Sequence, residues 1–268
     1  MNASSPTDQA TPRLAPEVFA ERAQAIGPVM NKLRAFLLRR RLRNVLGQAS
    51  SRLDLDRALA EQKILLVPLS KGLLGEEAAA LMGSLVVARL WQAVQRRAEV
   101  GPDERVATFA FIDEFQDYLH LPTSMADLLA QARSLGLGLT LAHQHLRQLP
   151  ADVREAVLAN ARSRVIFQVA ASDAKVLARE LAPHLSSADL QGLGPYEAVV
   201  TLSVGARVAP PVTAVSYPPP PSSGQRAAAR QHSRDRYGVD RAAVEGAIRA
   251  RHEGRPGGGA VGRREVSS

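Results

Sequence analysis

Two adjacent acids at the end of an apolar stretch are the residues in this sequence best placed for chemistry. The octapeptide TFAFIDEF spans residues 108–115 and contains Asp113 and Glu114. At the carboxyl end of a strand, one such acid can hold Mg²⁺, and its neighbour can polarise a water that attacks a phosphoryl group. A strand that simply ends in two solvated acids gives the same pattern, so the octapeptide alone leaves both interpretations open.

Polar residues accompany two later apolar segments, at points where they could join these acids. Gln144 follows residues 137–142, and an amide can hydrogen-bond a phosphate and a water together. Arg162 and Arg164 stand at the start of the next apolar segment, where an arginine could stabilise charge that develops on a phosphoryl group. Solvation at the surface is the alternative for at least one of these two arginines.

The composition excludes several kinds of site. The 268-residue chain has no cysteine, which rules out disulfides, zinc–cysteine sites, iron–sulfur clusters and cysteine nucleophiles. His143 and His145 have no acids at ligand spacing, so we interpret them as loop residues beside the acids and not as metal ligands. No apolar run reaches the roughly 18 residues of a transmembrane helix, and residues 1–11 lack the apolar core of a signal peptide. We therefore expect a cytoplasmic protein.

The segments around these residues alternate between strand and helix patterns. The predicted strands are 63–69, 105–112, 137–142 and 164–169, followed by a hairpin of 197–203 and 206–214 that turns at Val204-Gly205. The predicted helices are 16–47, 75–98, 124–134, 151–160, one from Ser172 or Asp173 to about Leu181, and 239–252 capped by Asp240. Strands separated by helices of ten or more residues predict an α/β fold with a mainly parallel sheet flanked by helices.

The two ends of the chain differ from this central region in composition. Residues 1–15 are rich in Ser, Thr and Pro, and we expect them to be disordered, whereas residues 16–216 form the folded domain. Residues 217–268 begin with a polyproline linker and contain ten Arg and five acids, within a net charge of +8 for the chain. Such a basic tail could bind DNA phosphates by releasing counterions, and a solvated, disordered tail is the alternative. The basic cluster Arg39–Arg43 allows the same two interpretations.

Three segments, taken together, resemble one family of motors. They are FIDEFQDYL, SLGLGLTLAHQHLRQLP and NARSRVIFQVAASDAKVLARELAP. In this order they are similar to the FtsK/HerA superfamily of DNA-pumping ATPases, and nearest to the TraG/TraD-like coupling proteins of conjugation and type IV secretion. The resemblance covers roughly residues 28–216, and it implies a RecA-like P-loop NTPase core.

The resemblance also implies roles for four residues. Asp113 would hold Mg²⁺ through water, Glu114 would activate the attacking water, and Gln144 would sense the γ-phosphate. Arg164 would act as an arginine finger in the site of a neighbouring subunit. The implied cofactors are ATP and Mg²⁺. The implied partners are DNA, type IV secretion or relaxosome proteins and further copies of the chain in a hexamer, at the inner face of the membrane.

One motif of the family is missing from this sequence. No G-x-x-x-x-G-K-[ST] phosphate loop (Walker A) occurs, and none of the four lysines follows a glycine. In the family the Walker A strand lies between the strands that match 137–142 and 164–169. We therefore expect an incomplete core, in which these two strands either pair directly or leave a gap that a Walker A-bearing partner chain fills.

Two functions are compatible with this pattern. The chain could be the C-terminal part of a motor ATPase that needs a Walker A-bearing half, encoded by a truncated gene or as a split subunit. It could instead be a degenerate paralogue that serves as a non-catalytic module and binds DNA or relaxosome proteins. The retained pair Asp113 and Glu114 favours the first function, and the missing phosphate loop favours the second.

Overall fold

A computed structural model describes residues 38–119, 124–205 and 207–253. The chain divides into two compact units, one formed by Met1–Ser50 with Val239–Ser268 and the other by Ser51–Gly238. Among the described residues, no helix is both long enough and apolar enough to cross a membrane. The predicted disordered segment 1–15, most of the predicted helix 16–47 and the last residues of the basic tail lie outside the described residues.

The described residues form a mixed α/β structure. The helices are α1 (Arg40–Leu46), α2 (Leu55–Ala60), α3 (Lys71–Leu74), α4 (Glu76–Gln95), α5 (Met125–Gln131), α6 (Ala151–Asn160), α7 (Ala171–Leu181), α8 (Ser187–Gln191), α9 (Arg226–Tyr237) and α10 (Arg241–Glu253). The strands are β1 (Thr108–Ile112), β2 (Leu137–Leu141), β3 (Arg164–Ile166), β4 (Glu197–Thr201), β5 (Ser203–Val204), β6 (Arg207–Val208) and β7 (Val212–Val215). Short 3₁₀ turns cover Arg96–Glu99, Pro102–Glu104, Phe115–Tyr118 and Leu146–Gln148.

The strands of the described residues form three small sheets. β1 and β2 are parallel, in a register that runs from Thr108 opposite Leu137 to Ile112 opposite Leu141. The second sheet is antiparallel in the order β3-β4-β7, and β5 and β6 close the tip of the predicted hairpin. The hairpin turns at Gly205, whose φ of +61° suits glycine. The predicted α/β class is therefore confirmed, but the parallel part of the sheet is smaller than predicted.

Most of the predicted elements are present, and the exceptions are informative. The predicted strand 63–69 is wrong, because this segment has no regular secondary structure and pairs with no strand among the described residues. Its side chains Ile64 and Leu66 are 89% and 81% exposed, so the apolar run lacks the neighbouring strand and covering helices that bury a parallel strand. Helices α2, α3, α8 and α9 were not predicted; they are short or lack an apolar periodicity.

One apolar core joins the two larger sheets. Trp91 of α4 and Leu128 of α5 are buried in it with Leu137 of β2, and the second sheet contributes Ile166 and Val199. Each of these sheets therefore turns one face toward the same core. The opposite faces carry exposed apolar side chains, which become important below.

Helix α4 also positions the turn that follows β1. Gly83 in this helix is buried, and a Cβ atom there would overlap the Tyr118 ring and approach Leu69. The missing side chain therefore lets the 3₁₀ turn Phe115–Tyr118 lie directly against the helix. This contact holds the segment that carries the acids at a fixed place beside the core.

In the first unit, α1 packs against α10 through polar contacts. The Arg40 guanidinium donates two hydrogen bonds to the Glu245 carboxylate, at 2.7 and 2.8 Å, and the Asn44 amide donates a third at 2.8 Å. These contacts, first that with Arg40, lower the pKa of Glu245 to about 2. The predicted cap of α10 is confirmed, because the Asp240 carboxylate accepts a hydrogen bond from the backbone N–H of Ala243 at 3.0 Å.

Candidate functional site

The backbone turns sharply at Glu114, directly after the end of β1. Glu114 has φ 50° and ψ 44°, in the left-handed region that residues other than glycine seldom adopt. The next residue, Phe115, is fully buried, and its N–H donates to the carbonyl of Ala142 at the end of β2. The buried ring and this hydrogen bond hold the strained turn in place, and such strain is concentrated at functional sites.

The Glu114 carboxylate accepts hydrogen bonds from two amide side chains. Gln144 donates from Nε2 to Oε1 at 2.7 Å, and Gln116 donates from Nε2 to Oε2. The contact with Gln116, and after it that with Gln144, lowers the pKa of Glu114 below its ordinary value. The structure thus joins the predicted pair Glu114 and Gln144 at the carboxyl ends of two adjacent parallel strands. An ionised, oriented carboxylate of this kind can accept a hydrogen bond from a water and polarise it.

Asp113 lies at the same strand end and is exposed. One of its carboxylate oxygens accepts a hydrogen bond from the Glu114 N–H at 3.0 Å. Within the described ranges, no group of three or more His, Cys, Asp or Glu side chains could hold a metal ion. A single exposed carboxylate fits Mg²⁺ bound mainly by water and phosphate oxygens, but it does not form a metal site by itself.

An ion pair in the turn that follows Asp113 and Glu114 was missed by the sequence analysis. The ammonium of Lys71, at the start of α3, lies 2.6 Å from the Asp117 carboxylate, and this contact raises the pKa of Lys71. It links α3 to the 3₁₀ turn that follows Glu114. In the sequence, Ser70-Lys71-Gly72 is notable only because it reverses the order of a phosphate loop, and that order does not indicate Asp117 as a partner.

Of the two histidines after β2, His143 lies beside the turn that carries the acids. The His143 ring packs edge-on against Phe115, with the ring centroids 5.6 Å apart, and burial lowers the pKa of His143. His145 lies 3.8 Å from the buried carboxylate of Asp173. Asp173 does not cap α7, as had been predicted for it or Ser172, because its carboxylate accepts the Leu146 N–H at 3.0 Å instead. It thereby ties the segment after β2 to α7.

The Arg164 side chain contacts residues of α6 and α7 and does not contact Asp113 or Glu114. Its guanidinium donates to the carbonyls of Leu158 and Ala161, at 2.6 and 2.9 Å, and lies 3.5 Å from the Glu180 carboxylate. These carbonyls belong to the last turn of α6 and the residue after it, so Arg164 stabilises the end of that helix. Arg162 is exposed, and its side chain has no hydrogen bond or ion pair in the part of the chain described here. The role of Arg164 as an arginine finger stays a prediction.

β2 and β3 do not pair with each other. In the described ranges, β2 pairs only with β1, and β3 pairs only with β4, so each strand has an open edge. The exposed faces of these sheets are apolar: Phe109 and Phe111 of β1 are 72% and 78% exposed, and Val165 of β3 is 60% exposed. An open edge leaves backbone N–H and C=O groups without ladder partners. Of the two outcomes expected for these strands, direct pairing is therefore wrong.

The comparisons with known proteins add no family to this description. No family model matches the sequence, and no curated protein matches it significantly. The functional argument therefore rests on the geometry at the ends of β1 and β2.

Proposed function

We propose that this chain supplies the water-activating side of the ATPase site in a DNA-translocating motor of conjugation or type IV secretion. The observation that carries the proposal is the 2.7 Å hydrogen bond between Glu114 and Gln144 at the carboxyl ends of two neighbouring parallel strands. This edge of a parallel sheet is where α/β proteins bind nucleotides. A surface acid with no catalytic role does not require a strained backbone or two amide donors.

In this proposal each residue has a limited task. Glu114 orients and polarises the attacking water, and Gln144 keeps that carboxylate ionised and faces the γ-phosphate. Asp113 would hold Mg²⁺ through water, and the ion would supply positive charge to neutralise the phosphate oxygens. The sequence contains no phosphate loop, so the main contacts to the triphosphate must come from another segment.

The open edges of β2 and β3 support a Walker A-bearing partner chain. A single added strand between them would complete both hydrogen-bond ladders and would join the two sheets into one RecA-like sheet. A helix that follows this strand could cover Phe109, Phe111 and Val165, which are now exposed. Both sheets already contribute residues to one core, which supports a partner that adds to the fold.

A second candidate function, a non-catalytic DNA- or relaxosome-binding module, is favoured by one observation. Helix α9 carries Arg226, Arg230, Arg234 and Arg236, and all four are exposed. Binding through this helix would not require a nucleotide.

Calorimetry and hydrolysis assays test the proposal. The isolated chain should not bind ATP-Mg²⁺ at micromolar concentrations, because it lacks the phosphate loop. With a partner chain that carries G-x-x-x-x-G-K-[ST], for example one encoded by a neighbouring reading frame, it should hydrolyse ATP. In that complex Glu114→Gln should preserve ATP binding and lower hydrolysis about 100-fold or more, the scale for removing a positioned general base.

Glu155→Gln is the matched control, since Glu155 is an exposed acid on α6 and not on the turn after β1. It should leave hydrolysis unchanged. Micromolar ATP binding by the isolated chain would show that no partner is needed for the phosphates. Equal rates of hydrolysis for Glu114→Gln and Glu155→Gln would show that Glu114 is not catalytic, and they would favour the non-catalytic module.

A further inference from the structure

Helix α9 covers no core. Every side chain from Arg226 to Arg236 is exposed, and only Tyr237, at the end of the helix, is half-buried. One hydrogen bond holds the residue after the helix, where the Arg52 guanidinium donates to the carbonyl of Gly238 at 2.8 Å. A helix that buries no apolar face gains little from tertiary packing, so its surface is available to a partner.

Five of the nine polar side chains of α9 lie on one face of the helix. At 100° per residue, Arg226, Arg230, Ser233, Arg234 and Tyr237 fall within about a third of the helix circumference. The three arginines are spaced four residues apart, which corresponds to about 6 Å of helix rise between neighbours. This set of five residues is called the α9 face below.

The positive charge of the α9 face is poorly neutralised within the chain. Arg226 and Arg230 have no side-chain hydrogen bond or ion pair among the described residues, and Arg234 contacts only the neutral amide of Gln231, at 2.7 Å. Asp235 is the sole acid of the helix, and it also contacts Gln231. Cations in the first turns oppose the helix dipole, so Arg226 and Arg230 do not serve the stability of α9.

We propose that the α9 face binds the phosphate backbone of double-stranded DNA. Arginine forks pair with phosphate oxygens in a bidentate manner, and Ser and Tyr hydroxyls add hydrogen bonds of the kind that position proteins on DNA. Successive phosphates of one strand advance about 3.4 Å along the duplex axis. Arginines about 6 Å apart can therefore reach roughly every second phosphate.

The composition of the helix favours nucleic acid over a membrane surface. A helix that lies in a membrane interface needs bulky apolar side chains opposite its basic face. The side of α9 opposite these three arginines carries Ala228 with the polar side chains His232 and Asp235, and no bulky apolar residue. This proposal rests on the second candidate function, DNA binding through α9, and it does not depend on ATP hydrolysis, because α9 contributes no residue to the acid site after β1.

Fluorescence anisotropy with a labelled 20-base-pair duplex of mixed sequence tests this assignment, with the full chain, without nucleotide, between 50 and 200 mM salt. The variant Arg226→Gln/Arg230→Gln/Arg234→Gln should bind at least about tenfold more weakly at the lowest salt. Its log–log salt slope should be shallower by about 2 to 3, since each phosphate contact contributes about 0.9. Glutamine keeps a helix propensity close to that of arginine, and circular dichroism checks that the helix is retained.

Two further triple variants separate the α9 face from net charge and from folding. Arg133→Gln/Arg147→Gln/Arg179→Gln removes the same charge from exposed positions elsewhere and should keep most of the salt slope. Arg226→Lys/Arg230→Lys/Arg234→Lys keeps the positive charge of the α9 face, so this variant should also keep most of the salt slope.

Three results would overturn the assignment to DNA. One is an equal loss of slope in the two glutamine variants. Another is no binding of the duplex by the unchanged chain. The third is tighter binding to anionic phosphatidylglycerol vesicles or to an acidic peptide than to the duplex.

Discussion

At the scale of single residues, the charge of Glu114 depends on its amide donors. Gln144→Ala removes one of the two hydrogen bonds, so the pKa of Glu114 should rise part of the way toward the ordinary value of about 4.3. NMR titration of the Glu114 carboxyl measures this change. Gln131→Ala, at an exposed position on α5, is the control and should leave the titration unchanged. If both variants titrate like the original chain, Gln144 does not stabilise the carboxylate.

The contacts of Arg164 lead to a prediction about stability. Arg164→Ala leaves the carbonyls of Leu158 and Ala161 without their donor, and it should lower the free energy of unfolding by about 1–3 kcal/mol. Arg162→Ala, at an exposed position, should change it by less than about 0.5 kcal/mol. Chemical denaturation of both variants measures the difference. If Arg164→Ala is as stable as Arg162→Ala, the Arg164 side chain is free to act on another subunit.

At the scale of elements, two helix glycines should respond in opposite ways to alanine. Gly83→Ala places a Cβ atom against the Tyr118 ring, so the turn after β1 must shift, and we expect a loss of about 1–3 kcal/mol. Gly246 in α10 has open space around its Cβ position, so Gly246→Ala should stabilise by about 0.5–1 kcal/mol through helix propensity. Denaturant unfolding of both variants tests this. A gain of stability in Gly83→Ala would show that Tyr118 does not hold the turn against α4.

The contact between α1 and α10 should depend on acid pH. The pKa of Glu245 is lowered to about 2 in the folded chain, so the contribution of Glu245 is fully present above its ordinary pKa near 4.3 and is lost as the pH falls toward 2. Unfolding experiments across this range should show the loss, and Glu245→Gln should remove that part of the pH dependence. A pH profile unchanged by Glu245→Gln would mean that the contact with Arg40 contributes nothing to folding.

The sequence predicted what depends on local pattern. Helices α4 and α6 and strands β1 and β2 follow from apolar periodicity, and adjacent parallel strands brought Glu114 and Gln144 together as expected. The segment 63–69 has the composition of a buried strand, but a strand forms only where a neighbour completes its ladder. The partners of Lys71 and Arg164 depend on how distant turns pack, and the sequence pattern does not encode that packing.

At the scale of the whole molecule, the exposed apolar faces of the sheets are the surfaces that a partner would cover. Phe109→Thr/Phe111→Thr should lower the self-association of the isolated chain in sedimentation experiments and reduce the binding of an apolar dye. Threonine suits strands, and both phenylalanines are mostly exposed, so the free energy of unfolding should change little. Phe115→Ala is the contrasting variant, because Phe115 is fully buried and its loss should cost about 3–5 kcal/mol.

The same double variant distinguishes a docking face from an incidental apolar surface. If a Walker A-bearing chain covers β1, Phe109→Thr/Phe111→Thr should weaken that complex at least about tenfold, because two aromatic side chains would lose the area that they bury on binding. Val215→Thr is a control at an exposed apolar position on β7, on the opposite face of the second sheet from Val165. It should leave the affinity unchanged. Equal affinity of the double variant and the original chain would mean that the partner does not cover β1, and the aromatic face would then need another explanation.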